Sequence, residues 1–393
     1  MSNTIDNNIQ KGKITIKNYF LAGYAMVMVL TLITLFSIVI LIYLNYQMFQ
    51  TKQMIKMEHS SQRNLIYLSY CDSLESVNPE SFNSYHEEKI YRNPKGYQLQ
   101  LLSDFFSWGY KGFLKIMISD PAGTDSFFVE IRKKRIVPNG TVLVYDNSNF
   151  GLALSDGSNV AGNILMLRPE IRDQKLNYNS KNKTSFSHHI YRMNSVIFNY
   201  KINQDLMSLP FQIDSEDSGK IFIRKIFEIS GKRTVFDQSK EYRNCIFYVT
   251  AKTTFENYPN GFGNQIIFKS NTILKGKSEI PIDFFSLTDS LTIDYKSELS
   301  GNLFILNSNE LQKNKLIMKK ESRFTGNVFA DGTLISDSNT IEGVLIANNI
   351  QVNLPPTTYA HYLINFQVLP NQENSQQEIY FPYFWLKGET ELK

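Results

Sequence analysis

Cysteine and histidine are scarce in this chain, which has two cysteines and five histidines among 393 residues. So few cysteines exclude a disulfide-rich scaffold. Cys71 and Cys245 could form one bridge, but their spacing gives no geometric support for it. His188 and His189 are adjacent, and neighbours on a strand point to opposite faces of a sheet. The sequence therefore predicts no metal site.

A strong charge of either sign is also absent. The formal net charge is +4 and the isoelectric point is about 8.7, which is too weak an excess to indicate a nucleic-acid partner. The basic cluster Arg132–Arg135 is interpreted as the solvated end of a strand. The acidic run Asp214–Gly219 lacks the ligand spacing of a calcium loop and is interpreted as a surface turn.

Familiar motifs of catalysis and nucleotide binding are missing as well. The chain has no H-E-x-x-H, C-x-x-C, P-loop or G-x-S-x-G pattern. We therefore expect no catalytic residue and no cofactor.

One long hydrophobic run stands out against this background. No charged residue occurs from Asn18 to Thr51, and Phe20–Leu44 is almost wholly apolar over about 25 residues, more than the roughly 20 that cross a bilayer. A cleavable signal peptide would have a shorter apolar region ending in small residues, whereas this run ends in Leu-Asn-Tyr. The sequence predicts an uncleaved single-pass transmembrane helix at 19–46, after a cytoplasmic leader at 1–18.

The residues that flank this run set the expected orientation. Three basic residues precede it and three follow it closely, but Lys17 lies nearer to the apolar residues than Lys52 does. A β-rich region of roughly 300 residues comes after the run. We expect the span in the inner membrane and the large domain in the periplasm. Apolar residues at helical spacing over 47–71 predict a stalk that continues the membrane helix.

Four stretches of the chain share one pattern. An apolar residue is followed six positions later by another, and a glycine comes two positions after that. Serine or asparagine stands two positions before the second apolar residue, and asparagine follows three of the four glycines. The copies are Leu152–Met166, Leu291–Ile305, Leu316–Ala330 and Leu334–Ala347. Their shared residues are Ser158, Val160, Gly162 and Asn163; Ser297, Leu299, Gly301 and Asn302; Ser322, Phe324, Gly326 and Asn327; and Asn339, Ile341 and Gly343.

Recurrence at a fixed offset predicts stacked strands. One copy cannot bury its apolar residues alone, so neighbouring copies must stack to form a core. Glycine suits a corner that needs positive φ or close approach to the next coil, and successive asparagines could form an amide ladder. We expect a mainly β fold with an irregular right-handed β-solenoid at 142–352, including an insertion at 168–195. A β-sandwich is the alternative, because its strands also recur at about 8–12 residues.

Two further segments complete the expected organisation. Residues 72–141 are predicted to form a small β-rich segment between the stalk and the solenoid. Residues 353–393 are predicted to form a C-terminal cap. Within that cap, Ile379–Leu386 is too aromatic for a loose tail, and we expect it to pack on the open end of the solenoid.

The acidic residues of the repeats bear on a possible enzymatic function. A glycoside hydrolase needs paired carboxylates at a fixed separation on one face, and the repeat acids form no recurring column. A β-helix polysaccharide enzyme is therefore the least favoured function. These acids are Asp156, Asp294, Glu298, Glu321, Asp331, Asp337 and Glu342.

Two parts of the chain carry resemblances to known families. The stretches Lys11–Tyr46 and Phe106–Ile118, the latter with Trp108-Gly109, are similar in plan to PilX-like minor pilins of Gram-negative bacteria. The repeats Ser322–Gly332 and Ile341–Asn365 resemble bactofilins and other polymer-forming β-helices. Prepilins carry a glycine directly before Phe-Thr-Leu-x-Glu, a motif that this chain does not have.

The resemblances imply a function for the whole chain. They imply a non-enzymatic, membrane-anchored structural or assembly component of a type IV pilus-like or type II secretion-like apparatus. The expected partners are the membrane and pilin-like or secretion-system proteins. The alternative is a cell-surface adhesin or glycan-binding β-helix protein.

Overall fold

The computed structural model describes residues 3–74, 86–92, 98–136, 140–147, 149–155, 157–173, 185–186, 189–193, 221–307, 314–336, 338–354, 356–370 and 378–382. The chain divides into two compact units. Unit 1 contains residues 1–77, 86–104 and 115–127, and unit 2 contains the remainder. His188, Asp156, Asp337 and the run Asp214–Gly219 lie outside the described residues.

Most of the described chain is β-structure, and one long helix precedes it. The helix α1 runs from Asn3 to Leu74 without interruption, so the predicted span and the residues that follow it are continuous. No proline occurs in this segment to break it. The fold class is confirmed at this level, since the chain is mainly β with one N-terminal apolar helix and a large solenoid-like parallel sheet.

Five strands form a mainly antiparallel sheet in the order β1-β2-β3-β4-β30. They are β1 (His86–Arg92), β2 (Gln98–Trp108), β3 (Lys111–Asp120), β4 (Gly123–Ile136) and β30 (Glu378–Pro382). The last strand pairs antiparallel with residues 132–136 of β4. Residues 378–382 of the predicted cap therefore extend this sheet, and residues 383–386 of the predicted aromatic segment lie outside the described part of the chain.

Most of the remaining strands are short, and they pair almost entirely in parallel. They are β5 (Thr141–Tyr145), β6 (Leu152–Ser155), β7 (Asn159–Val160), β8 (Asn163–Met166), β9 (Ile171–Asp173), β10 (Ser185–Phe186), β11 (Ile190–Arg192), β12 (Ile221–Ile223), β13 (Ile226–Ile229), β14 (Arg233–Thr234), β15 (Glu241–Arg243), β16 (Ile246–Val249), β17 (Thr253–Phe255), β18 (Gln265–Phe268), β19 (Thr272–Leu274), β20 (Ile282–Ser286), β21 (Ser290–Ile293), β22 (Glu298–Ile305), β23 (Lys315–Met318), β24 (Arg323–Ser336), β25 (Thr340–Glu342), β26 (Leu345–Leu354), β27 (Thr357–Ala360), β28 (Tyr362–Ile364) and β29 (Gln367–Leu369).

Three parallel ladders run through this stack, and we name them faces A, B and C. Face A contains β13, β16, β18, β20, residues 301–305 of β22, 326–330 of β24, 345–347 of β26, β5, β8 and β11. Face B contains β14, β17, β19, β21, β23, 333–336 of β24 and 349–352 of β26. Face C contains 298–300 of β22, 323–325 of β24, β25, β29, β7 and β10. Parallel pairing of this extent distinguishes the fold from the β-sandwich alternative, whose sheets are antiparallel.

The coils do not stack in the order of the chain. The earliest repeat copy packs on the latest coil, because β5 pairs with β26, β6 with β28 and β7 with β29. The Tyr145 hydroxyl and His361 Nδ1 form a 2.5 Å hydrogen bond across this junction. The parallel ladders extend past the predicted end at Val352 to Leu369, and the predicted insertion contributes β9, β10 and β11. The hydrogen-bonding edge of the last coil is thus satisfied by an early part of the same chain.

The middle strands of face A, such as β18, are buried on both sides, whereas β11 and part of β13 are exposed. Leu303 points into the stack, whereas the neighbouring Phe304 packs in a second core on the outer side. On that outer side the rings of Phe285, Phe304 and Phe329 stack at centroid separations of 4.8 and 4.6 Å. Burial on both sides explains why these middle strands are mainly continuous apolar runs and do not alternate with polar residues.

The corners between faces B and C share one backbone device. Lys296, Glu321 and Ser338 each adopt a positive φ between 54° and 59°, and each directly precedes a buried serine or asparagine of the repeat. The Ser297 hydroxyl donates to the Leu274 carbonyl of the neighbouring coil at 3.3 Å. The left-handed residue turns the chain, and at Ser297 the buried hydroxyl adds a second hydrogen bond to a carbonyl that already accepts the Asp294 N–H.

Candidate functional site

The apolar part of α1 is exposed to the surroundings of the chain. Residues from Met26 to Leu44 are about half to two thirds exposed where they are large and hydrophobic. The most apolar window of this helix has a mean hydropathy of 2.8, and none of that window is buried. A side-chain surface of this kind cannot remain in water without an apolar cover. The helix is long and apolar enough to span a membrane.

The end of α1 is fastened to the strands of unit 1 by a buried ionic cluster. Arg63 is 4% exposed and donates to Asp120 at 2.8 Å and to Asp125 at 2.5 Å. His59 Nδ1 lies 2.9 Å from the same Asp120 carboxylate. Ala122 donates its N–H to the other oxygen of Asp120 at 2.8 Å. One carboxylate therefore joins the helix to the β3–β4 turn.

This cluster changes the acidity of Asp120. Burial alone would raise the pKa of the Asp120 carboxyl, but hydrogen bonds from His59, the Ala122 N–H and Arg63 outweigh it and lower that pKa. The ionised carboxylate is thus the form that the fold stabilises. Nearby, Tyr70 is 2% exposed and donates its hydroxyl to Glu87 at 2.8 Å, which adds a second fastening between the helix and β1.

The repeat glycines of the later copies lie where backbones approach closely. Gly301 pairs with Gly326 in the ladder, and Gly301, Gly326 and Gly343 have φ values of 128°, 127° and 147°. A Cβ on Gly326 would overlap the Gly301 carbonyl oxygen, and one on Gly343 would overlap the Gly326 carbonyl oxygen. Gly162 has no positive φ, but a Cβ there would collide with Val142 and Gly140.

The apolar repeat residues all point into the inner core. Val160, Leu299, Phe324 and Ile341 lie in strands and are 0–2% exposed. Of the asparagines, Asn327 donates to Asn302 at 3.0 Å, while Asn163 accepts from the His189 N–H at 3.1 Å elsewhere in the stack. Two of the three repeat asparagines thus form an amide ladder, and the third does not join it.

The asparagine ladder ends in a buried ion pair that the repeat pattern does not indicate. Asn302 donates to Asp283 at 2.8 Å, and Asp283 forms an ion pair with Lys111, whose side chain is 10% exposed. Asn327, Asn302, Asp283 and Lys111 are therefore connected in one line along the outer side of face A. Asp283 and Lys111 are about 170 residues apart, so no local signal could have found the pair.

A glutamine holds the turn between β2 and β3 on face A. Gln265 accepts from the Tyr110 N–H at 3.2 Å and donates to the Trp108 carbonyl at 2.9 Å. Gly109 between them has a φ of 62°, and a Cβ there would collide with the Gln265 side chain. The Trp108 indole donates to the Asn244 carbonyl at 2.8 Å. The Trp108-Gly109 pair is therefore a docked turn within unit 2.

Carboxylates on the repeat surface are paired with cations of neighbouring coils. Asp294 lies 2.8 Å from Lys319 and 3.4 Å from Lys275. The other pairs are Glu298 with Lys277, Glu321 with Lys296, and Glu342 with Arg323. Among the residues that the structure describes, no group of three or more His, Cys, Asp or Glu side chains is placed to hold a metal ion. The described thiols of Cys71 and Cys245 are free.

A small polar cleft lies on the surface of the described coils. Its volume is about 200 Å³, and Gln238, Asn257 and Lys277 contribute to its wall. Asn257 is used by the fold, since it bonds both the N–H and the carbonyl of Phe236. Gln238 donates to the Tyr258 carbonyl at 2.9 Å. These two amides therefore stabilise the corner that forms part of the wall of the cleft.

Comparison of the chain with protein-family models, with curated proteins and with solved structures gives no match. The resemblances to pilins and bactofilins therefore stay predictions from the sequence.

Proposed function

We propose that this chain is a non-enzymatic, single-pass membrane protein that serves as a structural or assembly component of a type IV pilus-like or type II secretion-like apparatus. In this proposal α1 is a retained anchor in the inner membrane with its leader in the cytoplasm. Residues 47–71 form a stalk, and a right-handed solenoid stands in the periplasm. The partners are pilin-like or secretion-system proteins.

The difference between the apolar part and the C-terminal part of α1 supports this proposal. Its apolar half exposes large hydrophobic side chains over its whole circumference, as a lipid-facing helix does. Its final turns are fastened to strands by Arg63 and Tyr70. An uninterrupted helix that is apolar at one end and structurally fastened at the other is suited to hold a folded domain at a membrane surface.

Two features of the stack favour a structural role over the alternatives. Repeat acids such as Asp294 are engaged with lysines, which favours ionic fastening of coils over acid–base chemistry. The aromatic ladder Phe285–Phe304–Phe329 lies under cover on the outer side of face A, whereas glycan binding by stacking needs exposed rings. Exposed rings such as Phe262 and Tyr295 lie on separate coils.

Affinity purification from membranes tests the proposal. The full-length chain would be tagged at its C-terminus, cross-linked in intact cells and recovered from detergent extracts. A matched control would carry residues 47–393 behind a cleavable secretion signal. We expect pilin-like or secretion-system proteins with the anchored chain and fewer with the control. Recovery of no such protein, together with binding of the chain to purified cell-surface glycans, would instead support the adhesin alternative.

A further inference from the structure

One histidine fastens the early coil (residues 141–166) to the coil of β26–β29. His361 lies in the corner between β27 and β28 and has a φ of 64°. Its N–H donates to the Ile350 carbonyl of its own coil at 2.6 Å, and its carbonyl accepts the Ala153 N–H of the early coil at 2.8 Å. Its ring stacks on the Phe150 ring of the early coil at a centroid separation of 4.4 Å. Backbone and ring of His361 therefore both contact the early coil.

The buried hydroxyl of Tyr145 needs an acceptor, and His361 provides it. Tyr145 is 0% exposed, and its hydroxyl lies 2.5 Å from His361 Nδ1. Burial raises the pKa of Tyr145, so the phenol keeps its hydrogen. Among the described residues, Nδ1 is the one hydrogen-bond partner of this hydroxyl. The Tyr145 O–H therefore donates to Nδ1, which requires a neutral imidazole with its hydrogen on Nε2.

Protonation of His361 would remove this acceptor. A protonated imidazole carries hydrogens on both nitrogens and accepts no hydrogen bond. The Tyr145 O–H would then be buried without an acceptor, which costs the desolvation free energy of the hydroxyl. Burial also lowers the pKa of His361, because a charged ring is less stable away from water. Both effects favour the neutral ring while the two coils are in contact.

The charged groups around the junction do not provide a counter-ion for a protonated His361. Besides Tyr145, the described titratable groups on the surrounding elements are Asp146, Arg168, Glu170, Tyr359 and Tyr362. Among the described carboxylates, none forms an ion pair with His361, and burial alone changes its pKa. Glu170 pairs with Arg168 at 3.0 Å. A proton on His361 therefore places a charge beside Tyr145 and Phe150 without compensation.

We propose that His361 is a pH-sensitive latch, which holds the early coil on the coil of β26–β29 when it is neutral and loosens this junction when it is protonated. The separated coils bind the proton more tightly than the closed junction, because closure lowers the pKa of His361. Opening of the junction therefore becomes more favourable as the pH falls below the ordinary value of 6.5. The inference does not depend on the membrane anchor or on the proposed partners.

Hydrogen–deuterium exchange of the full-length chain in detergent tests the latch. Amide exchange would be measured at about pH 5 and about pH 7.5, on either side of the ordinary pKa of histidine, and corrected for the intrinsic effect of pH on exchange. Peptides from residues 141–155 and 345–364 report on the junction, and peptides from β18 and β20 are the internal control. We expect protection at the junction to fall by about fivefold or more at the lower pH, because opening is coupled to proton uptake. Protection of the control strands should stay unchanged.

Three variants separate the latch from a general effect of acid. His361→Asn keeps an acceptor for Tyr145 in Oδ1 and tolerates the left-handed φ, but it does not titrate. We expect equal junction protection at both pH values in this variant. Tyr145→Phe removes the hydrogen that needs the acceptor and should reduce the response to pH. His86→Asn changes an exposed histidine of β1 and should keep the response of the parent.

Four results would overturn the proposal. The first is equal protection of the parent junction at both pH values. The second is the same response to pH in the parent and in His361→Asn, since another group would then be titrating. The third is an undiminished response in Tyr145→Phe, because the phenol would then have no part in the latch. The fourth is an equal loss of protection in β18 and β20, which would show that acid loosens the whole stack.

Discussion

Gly326 lies directly against Gly301 in adjacent strands of the parallel stack, and both have a φ near 128°. A Cβ at Gly326 would overlap the Gly301 carbonyl oxygen. Residues other than glycine avoid this φ region. In addition, the space that a Cβ would need is occupied by backbone atoms of the neighbouring coil, which cannot move aside. The glycine column is therefore a point of close approach between successive coils.

Replacement of this glycine should strongly destabilise the protein. We expect Gly326→Ala to lower the free energy of unfolding by about 3–5 kcal/mol, because backbone strain and overlap add. Gly231→Ala is the control, since Gly231 has no positive φ and a Cβ there would make only a van der Waals contact with the Arg233 carbonyl oxygen at 3.4 Å. Denaturant unfolding of the full-length chain in detergent measures both. Equal stability of the two variants would show that the coils do not approach as described.

The buried ion pair at the end of the asparagine ladder makes a second prediction. We expect Lys111→Met to destabilise the protein by about 3–5 kcal/mol, because it leaves the Asp283 carboxylate, whose side chain is only 16% exposed, without its cation. Lys277→Met removes the exposed pair with Glu298 and should cost less than about 1 kcal/mol. The same unfolding measurement compares them. An effect at Lys111 as small as that at Lys277 would show that the stability of the fold does not depend on this ion pair.

The left-handed corners predict that substitutions at two neighbouring positions change the stability of the protein by different amounts. Ser297→Ala should cost about 1 kcal/mol, since the buried hydroxyl bonds the Leu274 carbonyl. Lys296→Gly should leave stability within about 0.5 kcal/mol of the parent, because glycine tolerates its φ of 54° and its ion pair with Glu321 is exposed. Thermal melts of the two variants, compared with the parent, check the order. A loss at Lys296 larger than at Ser297 would contradict this account of the corner.

The Asp120 cluster predicts a pH dependence of stability. Because the fold lowers the pKa of Asp120 below its ordinary value of 3.8, its contribution is fully present above that value. The contribution is lost as the pH falls through the lower folded pKa. Asp120→Asn should remove this part of the acid destabilisation and lower stability at neutral pH. Unfolding midpoints measured from pH 2 to 7 test it, and identical profiles for the parent and Asp120→Asn would refute it.

The sequence indicates the local geometry of the coils but not their order. The spacing of Phe324 and Gly326 can be recognised within one stretch of sequence. The need for an apolar core residue and the need for a glycine at the close approach both arise within a single coil. The pairing of β7 with β29 joins residues about 208 positions apart. The exposed edge of any coil offers the same backbone hydrogen-bonding groups, so the local sequence does not indicate which edge β7 will pair with. The order of the coils is decided only when the whole chain folds and the strand edges of distant coils compete for the same partners.

The same limit applies to the polar contacts outside the repeats. Gln265 holds the turn at Trp108, and Arg63 meets Asp120 some 57 positions later. Each of these residues looks like an ordinary surface residue in its own stretch. Their roles arise from burial and geometry that two distant segments create together. The apolar run of α1 is the converse case, since composition and length alone indicate it.

Membrane topology of the chain tests the central claim most directly. Paired reporter fusions placed after Lys17 and after Glu58, one reporter active in the cytoplasm and one active in the periplasm, would be combined with the mass of the mature N-terminus. We predict cytoplasmic activity after Lys17, periplasmic activity after Glu58, and an uncleaved chain. Cytoplasmic activity after Glu58, or cleavage within residues 20–46, would contradict the account of a retained anchor that holds the β domain outside the cytoplasm.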